Sequence, residues 1–252
     1  MTTWVLLRGL MREARHWGDF PAQFKQIVGA RQVVTLDFPG NGVLHNQVSV
    51  ASVAEMAQYL RGQLQAMNCA PPYALLALSL GAMVAVEWSA KHPEEIARMV
   101  LINTSLAPHN PFYHRLRPAN YAALLRAMLV GTIAQRERLI LRLTSAANRS
   151  PSTQTELLQQ WIKYAREYPV TRANILRQLR AAQSYRAASA PAMPVLLLAG
   201  QHDQLVNAKC SLALAKNWNC ALRSHPVAGH DLPLDDGAWV AQQVQVWCGE
   251  QT

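Results

Sequence analysis

Short apolar runs alternate with helix-like stretches from the first residues of the chain, and that rhythm narrows the fold more than any single motif does. Residues 4–8, 32–36, 73–78 and 98–103 read as strands, with helix-like segments at about 21–28, 50–67 and 80–91 between them. Ser52 followed by Glu55 fits a capping box at the start of the second of these helices. The run 73–78 is wholly apolar, as in a strand buried on both faces. The alternation stops at Ala107. Residues 107–190 hold no strand-like run but four helical stretches, at about 119–130, 132–143, 151–167 and 171–185. It resumes with a strand at 195–199, a helix near 207–218, a strand at 221–227 and a last helix from about 238. Strands interleaved with helices pack as a mainly parallel sheet with helices on both faces. The expectation is an α/β core built from 1–106 and 191–252, with 107–190 inserted as a helical lid over one end.

Charge supports that division. The formal charge is +9, which alone would raise nucleic-acid binding. Yet residues 107–190 carry 13 of the 24 Lys and Arg and only three of the 15 acids, Glu137, Glu156 and Glu167. The excess belongs to the lid and the rest is nearly neutral; no nucleic-acid recognition motif accompanies it. At 252 residues the chain holds one sizeable core with room for an insertion. No apolar run approaches the roughly 20 residues of a transmembrane helix, and Arg8 cuts short the apolar start, which reads as a first strand rather than a signal peptide. Cys69, Cys210, Cys220 and Cys248 show no CxxC spacing and fit reduced thiols of a cytoplasmic protein.

Three short motifs carry the chemistry. In Leu75-Leu-Ala77-Leu78-Ser79-Leu80-Gly81-Ala82-Met83 a serine sits where a buried strand turns sharply into a helix. Small residues two before and two after it let the turn tighten and lift the hydroxyl clear. Val227-Ala228-Gly229-His230-Asp231 follows the last strand and offers a histidine on a glycine-opened loop. Leu198-Ala199-Gly200-Gln201-His202-Asp203 places a carboxylate after the strand before it. Ser, Asp, His in that chain order suits a nucleophile, the acid that orients the base, and the base.

With these residues the sequence resembles the α/β-hydrolases of the lid-bearing serine esterase and lipase type, over nearly the whole chain outside 107–190. The elbow matches G-x-S-x-G with Ala77 in the first glycine position. Leu6-Leu7-Arg8-Gly9-Leu10 resembles the His-Gly loop with Arg8 in place of histidine, and Asp37-Phe38-Pro39-Gly40-Asn41-Gly42 resembles the D-x-P-G-x-G turn. The resemblance implies Ser79 as nucleophile, His230 as base and Asp203 as its partner. It also implies an oxyanion hole from the backbone N–H groups of Leu10 and Leu80. Leu10, Met11 and Leu80 are candidates to line an acyl pocket. The implied activity is hydrolysis of carboxylic esters through an acyl-enzyme, with no cofactor and no metal.

Competing readings stay beside this one. His202 is a rival base and Asp236 a rival acid, while Asn103 ends its strand where some relatives carry the acid, a role an amide cannot fill. The remaining histidines, His16 and His225 among them, are expected at the surface or in loops, since nothing pairs them at metal-ligand spacing. The lid arginines either solvate helix faces or meet an acidic partner, such as an acyl-carrier protein delivering an ester or thioester. A ligand-binding relative that no longer turns over is the third reading.

Overall fold

The computed structural model describes residues 2–146, 149–187 and 189–251. Six strands, β1 (Thr3–Leu7), β2 (Gln32–Leu36), β3 (Tyr73–Leu78), β4 (Ile96–Ile102), β5 (Val195–Gly200) and β6 (Ala221–His225), form one sheet in the order β2-β1-β3-β4-β5-β6. All five pairings are parallel, so the sheet is wholly rather than mainly parallel among the described residues. Strand side chains alternate between faces, yet β3 is apolar throughout and β1 is apolar from Trp4 to Leu7, because both faces are covered. Val5, Leu7, Leu75 and Ala77 join one core, under α2 (Val53–Ala66) and α3 (Leu80–Lys91). Trp4, Leu6, Leu76 and Leu78 join the other, under α1 (Phe20–Val28) and α10 (Leu232–Glu250). Beyond β5, α9 (Lys209–Trp218) leads into β6. The chain runs from β1 outward to β2 and crosses back to β3, so the strand order reverses between β1 and β3. The carboxyl ends of two such strands bound the crevice where an open α/β sheet binds ligands.

Between β4 and β5 the chain forms α4 (Phe112–Arg115), α5 (Tyr121–Leu129), α6 (Ile133–Thr144), α7 (Pro151–Glu167) and α8 (Arg172–Ser184). Caps fix three of these starts: Thr132, Ser150 and Thr171 each accept a backbone N–H through the side-chain oxygen. Ser52 likewise caps α2, accepting from the Glu55 N–H, while its hydroxyl donates to the Glu55 carboxylate rather than closing a reciprocal box. Two differences from the sequence reading have local causes. The four-residue α4 is too short to show periodicity. The last helix starts at Leu232, not near 238, because Asp236 breaks it at φ −152°, ψ 80° and hides the first turn from a periodicity count.

Candidate active site

Ser79 stands at the carboxyl end of β3 with φ 56° and ψ −114°, a conformation that costs a non-glycine residue on the order of 1–3 kcal/mol. Hydrogen bonds on both sides hold it there. Its N–H donates to the Ile102 carbonyl at 3.0 Å, and its carbonyl accepts from Ala82 N–H at 3.0 Å and the Thr104 hydroxyl at 3.2 Å. The residues around it explain the small-residue pattern. A Cβ on Gly81 would lie 2.6 Å from the carbonyl oxygens of both Leu7 and Arg8, so only glycine lets α3 start against the end of β1. Ala77, by contrast, is fully buried with its methyl in the apolar core, where the extra carbon fills space. Gly9 also packs against the serine: a Cβ there would sit 3.3 Å from that of Ser79. Ser79 itself is partly exposed, and the Leu80 N–H opens α3, in the first turn that lacks intrahelical acceptors.

His230 and Asp203 meet on neighbouring loops after β6 and β5. Nδ1 of His230 lies 2.7 Å from Oδ2 of Asp203, and both side chains are buried. The other carboxylate oxygen accepts the N–H groups of Leu205 at 2.7 Å and Val206 at 2.9 Å, so Asp203 cannot turn away. Burial pulls the imidazole pKa down, but the charge and hydrogen bond of Asp203, with Asp231 adding and Arg8 opposing, leave it raised above the ordinary 6.5. The rivals lie elsewhere. His202 is exposed, and Asp236 faces His225 at 3.3 Å and caps the Trp239 N–H.

Several residues around this pair have partners that the sequence does not reveal. Asn103, at φ 46°, donates Nδ2 to the carbonyls of Gly229 at 3.0 Å and His230 at 2.8 Å and accepts the Gly200 N–H at 2.9 Å. Arg8 forms a bidentate pair with Asp231 and stacks on Trp17. Two more arginines of the same segment join the sheet to the helices that follow β4. Arg12 donates to buried Glu137 of α6 at 2.7 Å and lies 4.5 Å over the Trp161 ring of α7. Arg15 donates to Glu167 at 2.6 Å and stacks on Tyr164 and Tyr168. Met11, expected as a pocket residue, has φ 62° and gives its N–H to Oε1 of buried Gln178 on α8 at 3.0 Å. Gln178 also donates to Asn41 and Ser49. His16 is buried beside Arg12 and Trp161 rather than at the surface, and burial followed by the Arg12 charge lowers its pKa well below 6.5. His225 is buried as well. Neither could be placed by a sequence that does not show which helices cover them.

Comparison with known proteins agrees with this architecture. The model of the Alpha/beta hydrolase family matches residues 4–243. A carbamate hydrolase by name, RutD of Klebsiella pneumoniae subsp. pneumoniae, is 30% identical over 217 residues, 83% of this chain and 77% of its own length. The biotin biosynthesis bifunctional protein BioHC of Teredinibacter turnerae is 24% identical across 98% of this chain, which spans 44% of that protein. Among solved structures, a thermophilic esterase from Thermogutta terrifontis superposes with a TM-score of 0.76 at 18% identity, covering 99% of this chain and 90% of the esterase.

Proposed function

The chain belongs to the α/β-hydrolase family, and from that premise we propose that it is a serine hydrolase of carboxylic esters with Ser79 as nucleophile, His230 as general base and Asp203 as the residue that orients the base. The observation that carries the reading is the buried 2.7 Å contact between His230 Nδ1 and Asp203. It leaves Nε2 as the ring nitrogen free to work, in a site whose serine is held in a strained elbow. Nε2 takes the Ser79 proton as Oγ attacks the substrate carbonyl, and the same imidazolium returns a proton to the leaving alcohol. The backbone N–H groups of Leu10 and Leu80 hold the developing oxyanion, each worth about 2.7–4 kcal/mol by analogy with such donors elsewhere. Water then releases the acyl group. Residues 107–190 act as a lid over this end of the sheet, with Met11 at its contact with Gln178. Carbamate cleavage, the chemistry in the name of the RutD relative, would use the same groups.

A second reading keeps these residues and delivers the acyl chain on an acidic carrier protein. It is favoured by the use of acids in the helical stretch: two of the three, Glu137 and Glu167, are engaged by Arg12 and Arg15 of the core. Exposed Arg126, Arg138, Arg142 and Arg180 are left with little neutralising charge of their own segment. The test is a p-nitrophenyl ester series from acetate to palmitate, with and without salt, on the wild type and Ser79→Ala. Turnover lost in Ser79→Ala with folding intact supports the assignment; retained turnover removes Ser79 from it. A salt-sensitive preference for a carrier-linked ester over the free ester selects the second reading.

A further inference from the structure

Arg8 and Asp231 are 223 residues apart in sequence and form one buried ion pair. Nη1 donates to Oδ1 at 3.0 Å, Nη2 donates to Oδ2, and the guanidinium lies 4.6 Å over the Trp17 ring. The two ends of this pair are placed unusually. Arg8 directly precedes Gly9, which packs against Ser79, and Asp231 directly follows His230. We propose that Arg8 is a positioning residue that clamps the His230 loop to the Gly9–Leu10 turn and cancels the Asp231 charge beside the imidazole. The inference rests on the reading of Ser79 and His230 as nucleophile and base.

Stability alone does not account for the pair. Burying two charges costs several kcal/mol per ion, and well-packed apolar residues of similar volume generally do as well or better. What an apolar pair cannot supply is a fork of fixed geometry between two loops and a balanced field. An unpaired Asp231 carboxylate next to His230 would favour the imidazolium and take the base out of service at neutral pH; an unpaired Arg8 would do the opposite. Together they leave the proton affinity of His230 to Asp203. The charged groups near the histidine loop are Asp203 from the loop after β5, Arg8 from the end of β1, and Asp231 and Asp235 from its own segment. Asp235 accepts the Gly229 N–H at 2.7 Å and is itself paired with Arg149.

The test is the titration of the His230 imidazole by proton NMR in the full chain, its resonance assigned by its loss in His230→Gln. This reading needs no turnover. We expect Arg8→Met to raise the midpoint by at least about half a pH unit and Asp231→Asn to lower it by a similar amount. The double variant should return near the wild type. The acid limb of kcat/KM on a p-nitrophenyl ester should move in the same directions, with kcat falling more than KM rises. Midpoints that stay put, or that move the same way in both single variants, overturn the proposal and leave the pair as packing alone. If Arg8→Met does not fold, Arg8→Lys takes its place: charge without the fork should keep the midpoint near the wild type while kcat falls, and an unchanged kcat would remove the clamp. If the wild type hydrolyses no ester and Ser79 resists a fluorophosphonate label, the serine-hydrolase reading fails, and the NMR titration still decides the role of Arg8.

Discussion

The side-chain amide of Asn103 donates to the carbonyl oxygen of His230 at 2.8 Å, from a backbone held at φ 46° at the end of β4. A second bond from the same nitrogen reaches Gly229, and its oxygen accepts the Gly200 N–H. One residue therefore ties the histidine loop to the strand that leads to Asp203. The role needs a donor and an acceptor in one short side chain that tolerates positive φ, which suits asparagine.

Replacing Asn103 by Asp keeps the acceptor and the size and removes the donor. Two buried carbonyls then lose their partner and face a carboxylate, so we expect a loss of about 1–3 kcal/mol. We further expect a kcat lower by roughly 10–100-fold with KM little changed, from misplacement of the histidine. Chemical denaturation and steady-state kinetics on the same variant read both. A wild-type kcat would show that the loop is held adequately by other bonds.

Arg12 and Glu137 form the best-buried link between the first loop and α6. Removing one partner leaves an uncompensated buried charge, so Arg12→Met and Glu137→Gln should each cost about 3–5 kcal/mol at most, with the larger loss for Arg12→Met. Arg12→Met combined with Glu137→Leu should recover most of it. Native-state hydrogen exchange should show the effect first in α6 and α7. Simple additivity of the two single losses would argue that the contact is incidental.

Asp37 sits in the turn after β2, and burial, the largest influence, raises its pKa to about 6; the Ala14 N–H opposes and Glu13 adds to the rise. The folded protein therefore binds a proton more readily than the unfolded chain, whose carboxyl titrates near 3.8. The resulting stability is fully present below that value and is lost as pH rises through about 6. Asn at position 37 should keep the acceptor for Ala14 and abolish this slope. We expect Asp37→Asn to gain up to about 3 kcal/mol on the wild type between pH 4 and pH 7. Urea midpoints measured at both pH values check it, and equal differences at the two would refute the shift.

Gly81→Ala tests the approach of α3 to β1. The added methyl would meet two backbone carbonyl oxygens at 2.6 Å, neither of which can rotate away. We expect destabilisation of about 1–3 kcal/mol, with an activity loss larger than the same thermal shift produces in a distant core variant, because both Leu80 and the Arg8–Gly9 turn must shift. Equal losses would separate the packing from the site.

How much of this was legible in the sequence follows from the range of each interaction. The strand at Tyr73–Leu78, the turn at Ser79 and the loops holding Asp203 and His230 announce themselves within windows of a few residues. Hydrophobic period and local turn chemistry are local by nature. α7 likewise begins at Ser150-Pro151, a cap and first-turn pair written in adjacent letters. The contacts that assemble the site are not. Arg8 with Asp231, Arg12 with Glu137 and Asn103 with His230 join residues 127 to 223 positions apart in two cases and 125 in the third. In one sequence each is only an arginine, an acid or an amide. His16 misled for the same reason: its cover comes from Trp161 and Tyr164 on a distant helix. The replacement of histidine by Arg8 in the His-Gly loop was visible, but its meaning required Asp231.

The short span from Arg8 to Arg15 sends one guanidinium to the histidine loop, one to α6 and one to α7, each laid on an aromatic ring. Departure of the histidine loop or of α6 alone would strand a buried cation, Arg8 or Arg12, while Arg15 would keep Glu13 but lose Glu167 and both tyrosine rings. Heating should accordingly melt the sheet and the intervening helices as a single event: one calorimetric peak, with van't Hoff and measured enthalpies in agreement, rather than an early shedding of helices from a surviving β scaffold.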